Sequence, residues 1–385
     1  MDVEKSVDIL RHIVQQKPYR DSLSESDYHL LRDNQLSGSL YPLIKEQNHL
    51  VKGFKEDYYR YIQRDTVQID ILENLRQIFF EHQIDFVFLK GAYLKTIYPY
   101  SFMRPMGDID LLIRSHHMDK VHQILEANGF SNWNNSTNHD CFMKRGVNVE
   151  VHPHLDSSFS DEYGDFFMNP WQYAIKINHT EYDLEVAYRF LYQIYHMIKH
   201  LYHSGVGLRT FIDLYYLYEQ IDPLSDEFKG LVDCFPKKQF VEFIQEVIDY
   251  LFSDKPLNVS ANYDRINVTK RERLLHYILH SGAHGIGEEH NLFIGGIAST
   301  RRQKEWMIWT KVKFVFRKTF PPYSQMKGVY LYLKKFPLLL PFAYMQRLLK
   351  LVFKKSSRHK LTHLKVDKND VEYVEKLFKD IGIIN

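Results

Sequence analysis

Apolar positions recur at helical intervals along most of the chain and switch to a two-residue period in one short region. Val3, Val7, Leu10 and Val14 predict an opening helix, and Ser24 and Ser26 stand where a second would be capped. From about Lys55 to His82 the residues Tyr58, Tyr61, Ile62, Val67, Ile71, Leu72, Leu75, Ile78 and Phe79 keep helical spacing without Pro or Gly. That predicts one long helix, its aromatic stripe serving as core. At Ile84 the period changes. Asp85-Phe-Val-Phe-Leu89 is short, aromatic and β-branched, as a buried strand is. Gly91 permits a tight turn, and Ala92 to Tyr98 predicts a short helix before Pro99. A second strand follows Gly107, from Asp108 to Ile113, and then a helix over 117–128 that stops at Asn128-Gly129. Two more strands, 140–144 and 147–152, flank a hairpin turn at Arg145-Gly146.

Past Pro153 the pattern predicts loop and irregular structure over 156–182, around Trp171. Helical spacing returns over 184–219, 240–251 and 270–280, separated from later helices by a Gly- and His-rich loop over 281–296. Residues 301–355 read as basic, aromatic helices broken by Pro321-Pro322, Pro337 and Pro341, and an amphipathic helix over 368–381 follows. The expected fold class is α+β, a small mixed-sheet unit embedded in a mostly helical chain. Its expected regions are 1–82 (helical), 83–155 (α/β core), 156–300 (helical) and 301–385 (basic, helical).

Composition adds little except through charge and cysteine. With 385 residues, 44% hydrophobic and 25% charged, the chain can bury one large core or two. Two cysteines exclude a disulfide framework and a cysteine-rich zinc site. The N-terminus has no basic-then-apolar leader, and the longest apolar run, Phe336 to Met345, is short and broken by proline. A cytoplasmic location is expected. The net charge of +2 conceals an asymmetry: residues 301–385 hold 20 Lys+Arg against 6 Asp+Glu. Such a tail meets either the acidic remainder of its own chain or an anionic partner.

The candidate chemistry lies in the two-residue pattern. Asp108 and Asp110 project from one face of a strand about 6.6 Å apart along it, within joint reach of a hard divalent cation. Along Val147–His152 the valines alternate with Asn148, Glu150 and His152, so a neighbouring strand would bring Glu150 to the same site. Three carboxylates there suit phosphoryl or nucleotidyl transfer, with Glu150 as a metal ligand or as the base that takes a hydroxyl proton.

Leu89-Lys-Gly91, Arg104-x-x-Gly-Asp-Ile-Asp-Leu-Leu112 and Val149-Glu-Val-His152 together resemble a family of uncharacterised bacterial nucleotidyltransferases in the polymerase-β-like superfamily. His196-x-x-x-His200, Gly207-Leu-Arg209, Asp213 and the stretch from Phe336 to Lys350 are similar to its helical parts. The resemblance implies Mg²⁺, or Mn²⁺ in its place, on Asp108, Asp110 and Glu150, and an NTP, ATP first among them, with Gly91 against its triphosphate. Lys90-Gly91-Ala92 stands where much of the superfamily has Gly-Ser or Gly-Gly. Backbone N–H groups, Lys90 or Arg104 would therefore grip the phosphates. The acceptor could be a hydroxyl on a sugar, a small metabolite or a protein.

Outside that motif, His196 and His200 share a helix face, and Arg209 and Asp213 have ion-pair spacing. The four are expected to form a polar cluster at the cleft between the α/β unit and the helices. His276, His280, His284 and His290 span a helix end and a glycine loop, and read as surface histidines. Two other readings stay open: a nucleotide-binding regulatory module without turnover, and a helical protein whose basic tail binds nucleic acid or a membrane surface.

Overall fold

The starts of the first two helices are fixed by side chains that satisfy otherwise unpaired N–H groups. Asp2 caps α1 (Val3–Gln15) by accepting from the Lys5 amide, and Ser24 and Asp27 make a reciprocal capping box on α2 (Glu25–Asp33). Asp27 is buried and also accepts from Lys5 Nζ at 2.7 Å, which ties α2 to α1. After α3 (Ser37–Ile44) comes the long helix expected from the apolar spacing, α4 (Val51–Glu81). The computed structural model describes residues 1–45, 51–135, 139–155, 161–203, 205–252, 261–281, 291–300, 332–353 and 368–384, with short pieces between 309 and 330.

Next in order come β1 (Phe86–Phe88), α5 (Lys90–Ile97), β2 (Asp108–Ile113), α6 (Met118–Ala127), β3 (Ser131–Asn135), β4 (Asp140–Lys144) and β5 (Val147–His152). They are followed by α7 (Asp161–Phe167), β6 (Ala174–Lys176) and β7 (Glu181–Leu184). The seven strands form one mixed sheet in the order β3-β4-β5-β2-β1-β7-β6. β2 runs parallel to β5 and antiparallel to β1, and β7 runs parallel to β1.

The two-residue period sorts this sheet into two faces. Ile109, Leu111 and Ile113 of β2 and Val147, Val149 and Val151 of β5 pack with Ile71, Leu75 and Phe79 of α4 and Val121 and Leu125 of α6. Val87, Leu89 and Leu112 point the other way, into a larger core that runs from Val7 to Ile383. That core is built with α8 (Val186–His203), α9 (Arg209–Tyr218), α10 (Asp226–Cys234), α11 (Lys238–Phe252), α12 (Ala261–Ser281) and α13 (Asn291–Thr300). The chain continues through α14 (Tyr332–Lys335) and α15 (Leu340–Phe353) to α16 (Lys368–Asp380), which returns to the large core through Val371, Val374, Leu377 and Phe378. The result is the α+β class, a sheet unit set in a helical chain.

Three expectations need correction. Residues 161–167 are helical, and 174–176 and 181–184 are strands, where irregular structure was expected. β7 is short and polar, and is held by pairing with β1 rather than by an apolar run of its own. β3, Ser-Asn-Trp-Asn-Asn, is missed for the same reason. Residues 291–296 belong to a helix and not to a loop; a Cβ on Gly295 would lie 2.1 Å from the Leu201 carbonyl oxygen, so glycine here permits α13 to press against α8. Residues 282–290, with His284 and His290, lie outside the described residues. No helix among the described residues is long and apolar enough to cross a membrane.

Buried polar ties join the sheet unit to the helices. Arg104 Nε donates to Asp213 Oδ1 at 2.8 Å, and Tyr98 Oη donates to the same oxygen at 2.6 Å. Arg189 Nη1 donates to the Phe88 carbonyl at 3.0 Å. Asp213→Ala should cost about 3–5 kcal/mol in urea unfolding, because it strands a buried guanidinium; an effect below about 1 kcal/mol would show the tie to be dispensable. Burial pushes the Asp27 carboxyl up, but hydrogen bonds from Lys5 and Ser24 outweigh it and hold its pKa at about 2. Its lowered pKa stabilises the fold above the unfolded value near 4 and not below. The stability gap between wild type and Asp27→Asn, about 1–2 kcal/mol at neutral pH, should therefore shrink as pH falls from about 4 to about 2.

Candidate active site

Register places the acids. β2 and β5 pair with Asp108 opposite Asn148, Asp110 opposite Glu150 and Leu112 opposite His152. On the far side of β5, Cys141 of β4 stands opposite Glu150. Partners in register share a face of the sheet, so Cys141, Glu150 and Asp110 form one row across three strands. Asp108 and Asn148 lie in the next row.

Within this patch the hydrogen bonds are specific. Lys90 Nζ donates to Asp110 Oδ1 at 2.7 Å, and His152 Nε2 lies 3.1 Å from the same oxygen and 3.5 Å from Glu150 Oε2. Asn148 Nδ2 donates to Asp108 Oδ1 at 3.0 Å and reaches Glu150 Oε1 at 3.4 Å, while Trp133 Nε1 donates to Asn148 Oδ1 at 2.8 Å. His139 Nε2 approaches Glu150 Oε2 at 3.9 Å and its ring packs beside that of His152.

These neighbours set the charges. Desolvation by the surrounding patch raises the Asp108 carboxyl, although the residue is solvent-exposed, and repulsion from Glu150 and Asp110 adds to it, against the hydrogen bond from Asn148. Burial would also raise Asp110, but the Lys90 ammonium and the His152 hydrogen bond prevail and hold it well below the usual carboxylate range. Glu150 is lowered too, its hydrogen bond from His152 outweighing burial. His152 is raised, because its bonds to Asp110 and Glu150 outweigh the cost of burying its cation. Burial lowers His139. At neutral pH, Asp110 and Glu150 are thus anionic, with the Lys90 ammonium against Asp110 and the His152 ring against both.

Lys90 owes its position to the turn between β1 and α5. The Leu89 amide donates to the Asp110 carbonyl at 2.9 Å, and Lys90 itself, rather than Gly91, adopts the left-handed conformation at φ 42°. Gly91 is buried at the start of α5, where a Cβ would come 2.8 Å from Met106 Cβ and 3.2 Å from Arg104 Nη1. The glycine therefore serves close packing rather than the turn angle.

The donors fit a cation. Asp110, Glu150 and His152 each offer a ligand atom, all within 4.8 Å of one another, and so do His139, Cys141 and Glu150. The first group is dominated by hard oxygens that suit Mg²⁺ or Mn²⁺; the second contains the thiol and imidazole that softer ions prefer. Asp108 stands at the exposed start of β2, linked to the others through Asn148. His152, His139 and Cys141 carried no role in the sequence reading. The alternation that selects Glu150 also selects His152, and a two-residue turn at Arg145-Gly146 fixes Cys141 opposite Glu150.

Behind Gly91, the four residues expected as a polar cluster come together. His196, His200, Arg209 and Asp213 line a cavity of about 50 Å³ with Arg104, Gln193 and Thr210. His196 Nε2 and His200 Nε2 are 2.9 Å apart. The expected Arg209–Asp213 pair does not form: Asp213 is taken by Arg104, and Arg209 donates to the Pro105 carbonyl and to Gln35. Burial and then repulsion from Arg104 bring Arg209 down to about 10. Arg104 is buried in this tie, behind the turn. His276 and His280 stack on each other on α12 and are not residues of this site.

A family model described as an uncharacterised nucleotidyltransferase matches residues 25–234, which take in the sheet, its acidic face and the two helices of the polar cavity. No curated protein matches the chain. The family match covers more than half of the sequence and all three candidate carboxylates, and on it the chain belongs to the uncharacterised nucleotidyltransferase family.

Proposed function

We propose that the protein is a Mg²⁺-dependent nucleotidyltransferase that moves a nucleoside monophosphate from an NTP, ATP first among them, to an acceptor hydroxyl and releases pyrophosphate. The observation that carries this reading is the placement of Asp110 opposite Glu150, with Asp108 one row away and Lys90 against Asp110. Asp108, Asp110 and Glu150 would hold the metal, with Mn²⁺ as a substitute. Bound there, it would neutralise phosphate charge and help align the α-phosphate.

The remaining roles fall to the chain's own groups. Lys90 supplies a cation beside the phosphate path, and Gly91 lets α5 pack against Met106 and Arg104 so that Lys90 is held there. Glu150 would either ligate the metal or take the proton of the attacking hydroxyl. Arg104 acts from behind the turn, through its hold on Asp213, rather than as a mobile phosphate clamp.

The Lys90–Asp110 ion pair also suits a nucleotide-binding module without turnover, and turnover separates the two readings. With α-labelled ATP, Mg²⁺ and cell extract, wild type should yield labelled product and pyrophosphate, and Asp110→Asn should lose at least about 10²-fold. Binding of Mg·ATP by calorimetry without any pyrophosphate release would support the binding module instead. Lys90→Met removes the cation that shields Asp110, and should destabilise the metal-free protein by about 1–3 kcal/mol. Saturating MgCl₂ should restore most of that loss in a thermal melt while leaving Asp110→Asn unmoved. Equal melting temperatures with and without Mg²⁺ in wild type and Lys90→Met would contradict a metal at these carboxylates.

A further inference from the structure

α15 is apolar on both of its faces. Ala343 of its inner face is fully buried, and Leu340 and Tyr344 pack beside it, in a small cluster with Met326, Tyr330 and Leu333. The opposite face carries Phe342, Met345 and Leu349 at helical spacing and continues back onto Leu338 in the preceding turn; these are 46, 49, 50 and 94% exposed. Phe336 and Leu339 widen the strip. A helix in water shows a polar outer face, whereas α15 has only Gln346, Arg347 and Lys350 as strongly polar residues and an outer face of Phe342, Met345 and Leu349. Scattered exposed apolar residues are common, but a contiguous strip along one helix marks a contact surface.

Charge identifies what covers it. Residues 306–366 contain 14 Lys+Arg and not one Asp or Glu. A second copy of this chain would bring the same positive charge to the contact, which disfavours a symmetric dimer through this face. A nucleic acid would engage the cations but leave the apolar strip in water. A lipid bilayer with anionic headgroups fits both, since the strip suits the acyl boundary and a segment of this basic composition suits the headgroups.

We propose that α15 and the turn before it form an interfacial membrane anchor, which seats the protein on an anionic bilayer with Leu338, Phe342, Met345 and Leu349 inserted. The helix lies in the plane of the interface; at Leu340–Phe353 it is too short to span. The anchor is independent of nucleotidyl transfer, and its test reads binding alone.

The full-length protein is floated with vesicles of phosphatidylcholine, alone or with roughly one-third phosphatidylglycerol. Wild type should float with the anionic vesicles and bind the neutral ones at least tenfold more weakly. Leu338→Glu/Phe342→Glu changes two exposed side chains, should keep the wild-type melting temperature, and should lose at least tenfold in vesicle affinity. Undiminished binding by the double variant would mean a purely electrostatic surface and overturn insertion. Equal binding to neutral vesicles would overturn the anionic requirement. Absence of vesicle binding, with sedimentation showing a wild-type dimer that the double variant dissolves, would assign the strip to a second copy and reject the anchor.

Discussion

The parallel register of β2 on β5 is the constraint on which the site depends. A slip of one residue would turn Asp108 and Asp110 into the face packed by α4 and α6, and would bury their charges among Ile71, Phe79 and Leu125. The packing of Ile109, Leu111, Val149 and Val151 on that face is therefore what holds the carboxylates on the other. Core and chemistry are alternate residues of the same two strands, so the hydrophobic effect that folds the unit also aims its acids.

The second support is electrostatic. Three carboxylates on neighbouring strands repel one another, and this adds to desolvation in raising Asp108. Lys90 and His152 relieve it at Asp110 and Glu150, which both stay ionised. The same two partners would compete with a metal at these carboxylates, so the number of acids alone would not set affinity for a divalent ion. Arg104 and Asp213 extend the same logic inward, by pairing a guanidinium behind the turn with a helix of the larger core.

Much of this was legible in the chain itself. Period-two valines placed Glu150, and the Asp-x-Asp strand placed its two acids, because both signals depend on local alternation. His152 was readable by the same rule, and Cys141 through the hairpin at Arg145-Gly146. What resisted was whatever depends on distant partners. β7 is a strand because β1 offers it an edge, and Asp213 answers to Arg104 rather than to Arg209 four residues before it. Gly91 misled in a different way. Glycine beside a turn suggests a left-handed backbone, whereas here the close approach of Met106 excludes a side chain and Lys90 takes the unusual angle.

That angle sets backbone strain against electrostatics. A non-glycine residue in the left-handed region carries about 1 kcal/mol of backbone strain that glycine would relieve. Glycine at position 90 would also remove the ammonium that pairs with Asp110, a loss of about 1–3 kcal/mol that outweighs the relief. The strained lysine thus serves the fold itself, because its ammonium offsets the burial of the Asp110 charge.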